Sequence, residues 1–202
     1  MPAKSQPEST TAAARPKGRE ALLSATMEVL AREGIGDASL RYIADAVGTS
    51  HRMLLYHFES REGLLVAVVE EMDRRNSEML TSLTAGAQGK NLRDLAWSFW
   101  KHAADSATTF GPLYFELSSH AMLGLAHTEA LKERNFDRWH QTLTGLWVAF
   151  GLDRRSARIR ARLNLAVSRG LLHDLLLTGD RRAVDAAMRD FVDLAIGSHD
   201  AG

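Results

Sequence analysis

SLRYIADAVGTSHRMLLYHF, residues 39–58, decides the fold. Ser39 stands where a helix N-cap belongs, and Leu40, Ile43, Ala44 and Val47 follow at helical spacing. Gly48 ends that helix. Ser50 can cap a second one, with Leu54, Leu55 and Phe58 as its apolar residues. Two short helices joined at Gly48-Thr49-Ser50 have the length and turn chemistry of a helix-turn-helix. In that motif the second helix enters the major groove of DNA and its first residues meet base edges. Here those residues are Thr49, Ser50, His51 and Arg52, all hydrogen-bonding groups. Arginine can bond guanine through two donors, and Ser or Thr can bond a base or a phosphate. Ser39 and Arg41 open the preceding helix, where backbone N–H groups favour a phosphate. Tyr56, His57 and Arg61 are donors suited to the flanking DNA backbone.

Outward from this stretch, helical spacing continues in both directions. Upstream, Arg19–Arg32 carries an apolar stripe of Ala21, Leu22, Ala25, Val29 and Leu30, stopped at Gly34. Downstream, Ser60 caps a further helix through Leu64, Leu65, Val68, Val69 and Met72. Gly86 and Gly89 bracket a linker. Further helices are expected over Leu92–Thr108, Pro112–Leu123, Glu129–Phe150, Arg155–Leu177 and Arg181–Ile196, with Gly111-Pro112 as a break. No segment alternates apolar and polar residues as a strand does. Residues 1–16, with Pro2, Pro7 and Pro16 among Ser, Thr and Ala, read as a disordered tail. The expected fold is all-α: an N-terminal three-helix helix-turn-helix domain over residues 17–64, then a helical bundle over 65–202.

Composition narrows the function. The chain has 202 residues, 45% hydrophobic and 25% charged, with formal net charge zero. That balance argues against a wholesale polyanion coater, while leaving room for a local DNA-binding face. The local basic excess is Arg15, Lys17 and Arg19, an arm before the first helix. The absence of cysteine excludes a disulfide scaffold, a thiolate zinc site and a Cys nucleophile. There is no His-Glu-x-x-His, no Gly-x-Ser-x-Gly and no phosphate-binding glycine loop. Asp137-Arg-Trp-His140 is half of a carboxylate-bridged metal motif, but its partners are missing. No enzymatic activity, metal or cofactor is therefore expected; the competing class is a small-molecule-binding or metal-dependent helical enzyme that does not bind DNA. The charge-free run Trp139–Leu152 is too short to cross a bilayer, and the first residues lack the apolar core of a secretory signal. The expectation is a soluble cytoplasmic protein with no membrane partner. On these residues alone two readings of 39–58 stay open: a DNA-reading element, or an ordinary pair of short polar helices.

A longer match favours the first. The segment 18–71 resembles the N-terminal domain of the tetracycline-repressor (TetR) family of bacterial regulators. The matching features, in order, are Ala31-Arg32-Glu33-Gly34, Ser39-Leu40-Arg41-Tyr42-Ile43-Ala44, Gly48-Thr49-Ser50, Leu55-Tyr56-His57-Phe58 and Ser60-Arg61-Glu62-Gly63-Leu64. The resemblance implies a homodimer that binds palindromic, double-stranded operator DNA. It also implies a C-terminal helical domain that binds a small effector and then releases the DNA, the mode of a repressor. By position, Ser39, Arg41, Tyr56, His57 and Arg61 would contact phosphates, and Thr49, Ser50, His51 and Arg52 would face bases. Leu55 would touch a thymine methyl or pack. The family often has an aromatic at Leu55, a Lys at His51 and a small residue at Arg52, so no operator sequence carries over.

Beyond Val66 the resemblance fades. All four tryptophans, Trp97, Trp100, Trp139 and Trp147, lie in the expected bundle. A Trp at helical spacing is more often core than pocket. The family resemblance is what makes Trp97, Trp100, Phe115, Trp139, Leu143 and Trp147 a candidate site for an apolar or aromatic effector. Glu116 and His120, one turn apart, are its candidate polar groups; they also read as a structural hydrogen bond or a solvated edge. The last two helices carry apolar stripes, Leu163, Val167, Gly170, Leu171, Asp174 and Leu175 on one, Phe191 and Leu194 on the other. In the family these helices pair two protomers; an ordinary internal core is the alternative.

Overall fold

The hydroxyls expected to start helices do so. Ser39 Oγ accepts from Tyr42 N at 3.2 Å, Ser50 Oγ from Met53 N at 3.2 Å and Ser60 Oγ from Gly63 N at 2.9 Å. Each satisfies a backbone donor that has no partner within its helix. The structure is a computed structural model and describes residues 18–36, 38–85, 91–129 and 136–197. Among them are eight α-helices and no strand: α1 Arg19–Glu33, α2 Leu40–Ala46, α3 His51–Phe58, α4 Arg61–Ala85, α5 Leu92–Met122, α6 Phe136–Ala149, α7 Arg154–Thr178 and α8 Arg181–Gly197. A single 3-10 turn covers Ala126–Thr128. The expected tail at 1–16, the basic residues Arg15 and Lys17, and the linker glycines Gly86 and Gly89 lie outside the described residues.

The first core is the head. Leu22, Met27 and Leu30 of α1 meet Ile43 and Ala44 of α2, Leu54 and Phe58 of α3, and Leu64, Leu65 and Val68 of α4. Leu113 and Leu117 of α5 complete the same cluster, so the head is sealed by a helix from the far half of the chain. The tight α3–α4 corner depends on Gly63. A Cβ there would collide with the carbonyl oxygen of Phe58, because the start of α4 runs against the end of α3. Glu59, at φ 66°, turns the chain between them.

The second half packs around Trp100 and Ala104 of α5, Leu175 of α7, and Val184, Met188 and Val192 of α8. Trp100 Nε1 donates to Asp185 Oδ1 at 2.6 Å, and Arg181 bridges Asp185 and Asp105 at 2.8 and 2.7 Å, tying α8 to α5. Smaller clusters centre on Trp139 with Leu165 and on Trp147 with Ala157 and Ala195.

One expected break is absent. Gly111-Pro112 lies inside a continuous α5, where two helices were expected. Proline removes a single N–H from the helical ladder, and neighbouring packing holds the rest. The glycine beside it is a notch: a Cβ on Gly111 would sit 2.7 Å from Leu176 Cδ1, so α7 crosses α5 closely there. The helix expected from Glu129 is described only from Phe136 onward, as α6.

Candidate nucleic-acid interface and internal cavity

Helix α3 is held by one face. Leu54 and Phe58 are buried, while Ser50, His51, Arg52, Met53, Leu55 and Tyr56 are exposed. Thr49 is half-buried, and its N–H donates to Ala44 O at 2.9 Å, which fixes the turn between α2 and α3. The residues expected to face bases therefore sit at the free N-terminal end of α3. Arg41 and Ser39 are exposed at the start of α2. Tyr56 is 78% exposed, and its ring lies edge-on to that of half-buried His57 at 5.0 Å. Leu55, 38% exposed, shares the outer face rather than the core.

Arg61 does a different job from the expected phosphate contact. Its side chain is turned onto the loop between α1 and α2, where Nε donates to Ala38 O and Nη2 to Gly36 O, both at 2.8 Å. The same loop is held from the other side by Glu116 of α5. Glu116 Oε2 accepts from Ile35 N at 2.7 Å and Oε1 from Gly36 N at 2.9 Å. Glu116 is thus a clasp on the head and not a group of the cavity. Sequence spacing paired it with His120, but its partners lie some eighty residues upstream, a distance no local pattern reports. His120 shares a hydrogen bond with His127, ring nitrogen to ring nitrogen at 3.1 Å, and is also outside the cavity wall. Burial, His120 and the nearby Arg61 push the His127 pKa below its ordinary value.

Between α1, α4, α5, α6, α7 and α8 lies a cavity of about 220 Å³. Trp100, Phe115, Trp139, Leu143 and Trp147 line it, as expected. Trp97 does not: it packs toward α8 with the Arg189 guanidinium 4.3 Å from its ring centre. Phe99, Phe110 and Tyr114, which the sequence reading did not place around the cavity, continue the α5 wall. Their helical spacing carried the signal, hidden by reading α5 as two helices. Polar groups on the wall are few: Arg75, Asn76, Ser106, Asn164, Ser168 and Arg169. Asn164 Oδ1 is buried with no hydrogen-bond partner. Met27 and Met72 belong both to the wall and to the head core, so the floor of the cavity is the back of the head.

Comparison with known proteins agrees with this geometry. Residues 22–68 match the family model described as bacterial regulatory proteins, tetR family. Over that stretch the chain is similar to the tetR family. The matched domain is that of DNA-binding transcriptional regulators, and the tetR family is one of regulators rather than enzymes. It is 27% identical over 189 residues to the HTH-type transcriptional regulator BetI of Pseudomonas paraeruginosa, covering 89% of this chain and 93% of that one. Its fold is like that of a transcriptional regulator from Rhodococcus sp. Rha1, with TM-score 0.78, 15% identity and coverage of 90% and 97%. It is also like that of a regulator from Saccharomonospora viridis in complex with choline, with TM-score 0.66, 20% identity and coverage of 89% and 95%. No helix among the described residues is long and apolar enough to cross a membrane.

The last helices have two apolar faces, and the expected pairing residues divide between them. Leu175 is buried in the bundle core and Phe191 lines the cavity, so both belong inside. Val167 and Leu171 are half-buried against that core. Leu163, Gly170, Asp174 and Leu194 are exposed. Leu163 and Gly170 belong to a longer exposed stripe along α7 that also takes in Ile159, Ala166 and Leu177, with Ile159 56% and Leu177 73% exposed. A one-dimensional apolar pattern cannot tell an inner face from an outer one when a helix has both.

Proposed function

We propose that the chain is a ligand-responsive repressor that acts as a homodimer on an inverted-repeat operator. The observation that carries this reading is the shared wall. The head that offers α3 to DNA and the cavity that accepts a small molecule meet at Met27 and Met72.

In this reading Thr49, Ser50, His51 and Arg52 read bases, and Leu55 contacts a thymine methyl. Ser39, Arg41, Tyr56 and His57 hold phosphates. Arg61 supports them indirectly by fixing the α1–α2 loop. Two copies pair through the exposed α7 stripe and Leu194 of α8, where Gly170 lets helices approach. A large exposed apolar face on a helix pair is what a second copy would cover. Pairing sets two α3 helices to enter successive major grooves, about 34–36 Å apart or slightly more.

A ligand releases DNA only by binding the free form more tightly than the DNA-bound form, with a coupling of about 1–3 kcal/mol. The elements that can transmit it are named by contact. Helix α4 runs from Arg61, at the head, to the cavity residues Met72, Arg75 and Met79. Helix α5 carries Phe115 in the wall and Glu116, next in sequence, on the head loop. The division into reading and sensing parts near residue 64 is thus one of function, and α4 passes through it.

Selection of bound duplexes from a random DNA pool tests the proposal. An inverted repeat whose enrichment disappears when Arg52 is replaced by Ala is expected. Enrichment of single, asymmetric sites contradicts the dimeric reading.

A further inference from the structure

After α5 the chain doubles back. Gly124, at φ 74°, turns it, and Leu125 N–H donates to His120 O at 3.1 Å. The 3-10 turn Ala126–Thr128 follows and packs on both α4 and α5, with Thr128 buried. A side-chain bond ties this turn to α5. His120 Nδ1 and His127 Nε2 lie 3.1 Å apart, with the two half-buried rings edge-on at 5.2 Å.

A bond between two imidazoles needs one nitrogen that carries a proton and one that does not. The first added proton leaves that bond intact, because a charged ring still donates to a neutral one. The second ends it: all four ring nitrogens then donate, and two cations face each other.

The pair stands beside both groups that hold the α1–α2 loop. On α4, Arg61 donates to the carbonyls of Gly36 and Ala38 and is near enough to His127 to oppose its charging. On α5, Glu116, one turn before His120, accepts from the N–H groups of Ile35 and Gly36. That loop leads directly into Ser39 and α2, so whatever disturbs it disturbs the placement of the helix-turn-helix.

We propose that the His120–His127 pair is a proton-operated switch on DNA binding, an inference that rests on the DNA-reading head and not on the cavity. When both rings are charged they part, the 3-10 turn comes away from α5, and the cation on His127 repels Arg61 from the loop. Glu62 of α4 also acts on His127 and favours its charged form, while Glu129, at the end of the turn, is exposed. Burial, His120 and Arg61 outweigh Glu62, so His127 charges below the ordinary histidine value of about 6.5. The switch is therefore closed at neutral pH. Acid opens it, because the parted form binds the second proton more readily.

The test follows binding of the full chain to the selected operator from about pH 7.5 to about pH 5, either side of the ordinary histidine value, beside His127→Gln. Glutamine places an amide near the Nε2 position and does not titrate. His51 and His57 on the DNA side can also gain charge in acid, but they do so in both proteins, and the ratio of affinities removes them. Equal affinity is expected at the upper pH, and a wild-type chain weaker than the variant by about five-fold or more at the lower. His120→Asn, which matches the Nδ1 position, should behave as His127→Gln does and replaces it if that variant fails to fold. A second readout needs no DNA: exchange of the Arg61 Nε–H, followed by NMR, should be faster in the wild-type chain than in the variant at the lower pH and equal at the upper. A ratio that stays constant with pH, or equal Arg61 exchange at both, overturns the switch and leaves DNA binding standing. Absence of duplex binding at every pH overturns both.

Discussion

The head and the bundle are made of the same kind of amphipathic helix, yet one is sealed and the other hollow. In the head, Leu22, Leu30, Ile43, Leu54 and Leu64 are essentially without exposure, and serine hydroxyls close the starts of α2, α3 and α4. In the bundle, several large aromatic residues surround open space, and Asn164 is left with a buried acceptor unsatisfied. A void forfeits dispersion contacts on its lining, and an unmet polar atom costs stability. The contrast teaches where the chain places its rigidity. A surface that must match fixed base edges is built on a closed core, and a surface that must respond is built around a hole.

The largest expected effect comes from opening the sealed half. Leu54→Ala should lower global stability by about 2–5 kcal/mol, read from denaturant unfolding, because Leu54 is fully buried and its removal leaves a cavity under α3. A loss under 1 kcal/mol would mean that the head core is looser than the contrast requires. Next comes the clasp between the halves. Glu116→Gln should cost about 1.5–3 kcal/mol, since the charge goes and one of the two backbone donors loses its acceptor, and amide exchange at Ile35 and Gly36 should quicken. Unchanged exchange at those two amides would remove the clasp from the account.

At the DNA face, Arg52→Ala should lower affinity for the selected operator by about 1–3 kcal/mol and weaken non-specific binding much less. Equal losses would move Arg52 from bases to the sugar-phosphate backbone. In the hollow half the sign should reverse. Ala103→Leu fills part of the cavity from α5 and should raise stability by about 0.5–2 kcal/mol while abolishing binding of small aromatic ligands. Destabilisation with binding intact would show that the space is not where the contrast puts it. The smallest effect is a pH dependence. His127 is held below its ordinary pKa, so the unfolded chain takes up a proton near pH 6.5 that the folded chain resists. Stability should therefore fall slightly as pH drops through about 6.5 and level off below the folded-state pKa. His127→Asn should flatten that slope in a series of thermal melts.

The head was legible in the sequence because its signals are local. Ser39 and Ser50 precede their helices by one residue, and Gly48, at φ 73°, falls where a turn needs it. The position of α3 and the exposure of its first residues followed from those three. What escaped was set by distance. Arg61 looks like a free donor until the backbone carbonyls of Gly36 and Ala38 are folded beside it. Glu116 looks like half of a local pair with His120 until the α1–α2 loop arrives. Gly111-Pro112 has the signature of a break, and the close passage of Leu176 makes it a notch. Leu175 and Phe191 fit an outer stripe in one dimension and an inner one in three. Half the aromatic wall, Trp100, Phe115, Trp139 and Trp147, was named in advance, and there the family resemblance rather than the spacing carried the reading; Trp97, of the same cluster, has a different neighbour in Arg189.

Counting chains on the selected operator by native mass spectrometry, with and without a small ligand shown by thermal shift to occupy the cavity, tests the central claim most directly. The account predicts an even number of chains on each inverted repeat, with the complex depleted when that ligand is added. A single chain per duplex, or an even complex indifferent to every occupant of the cavity, would contradict it.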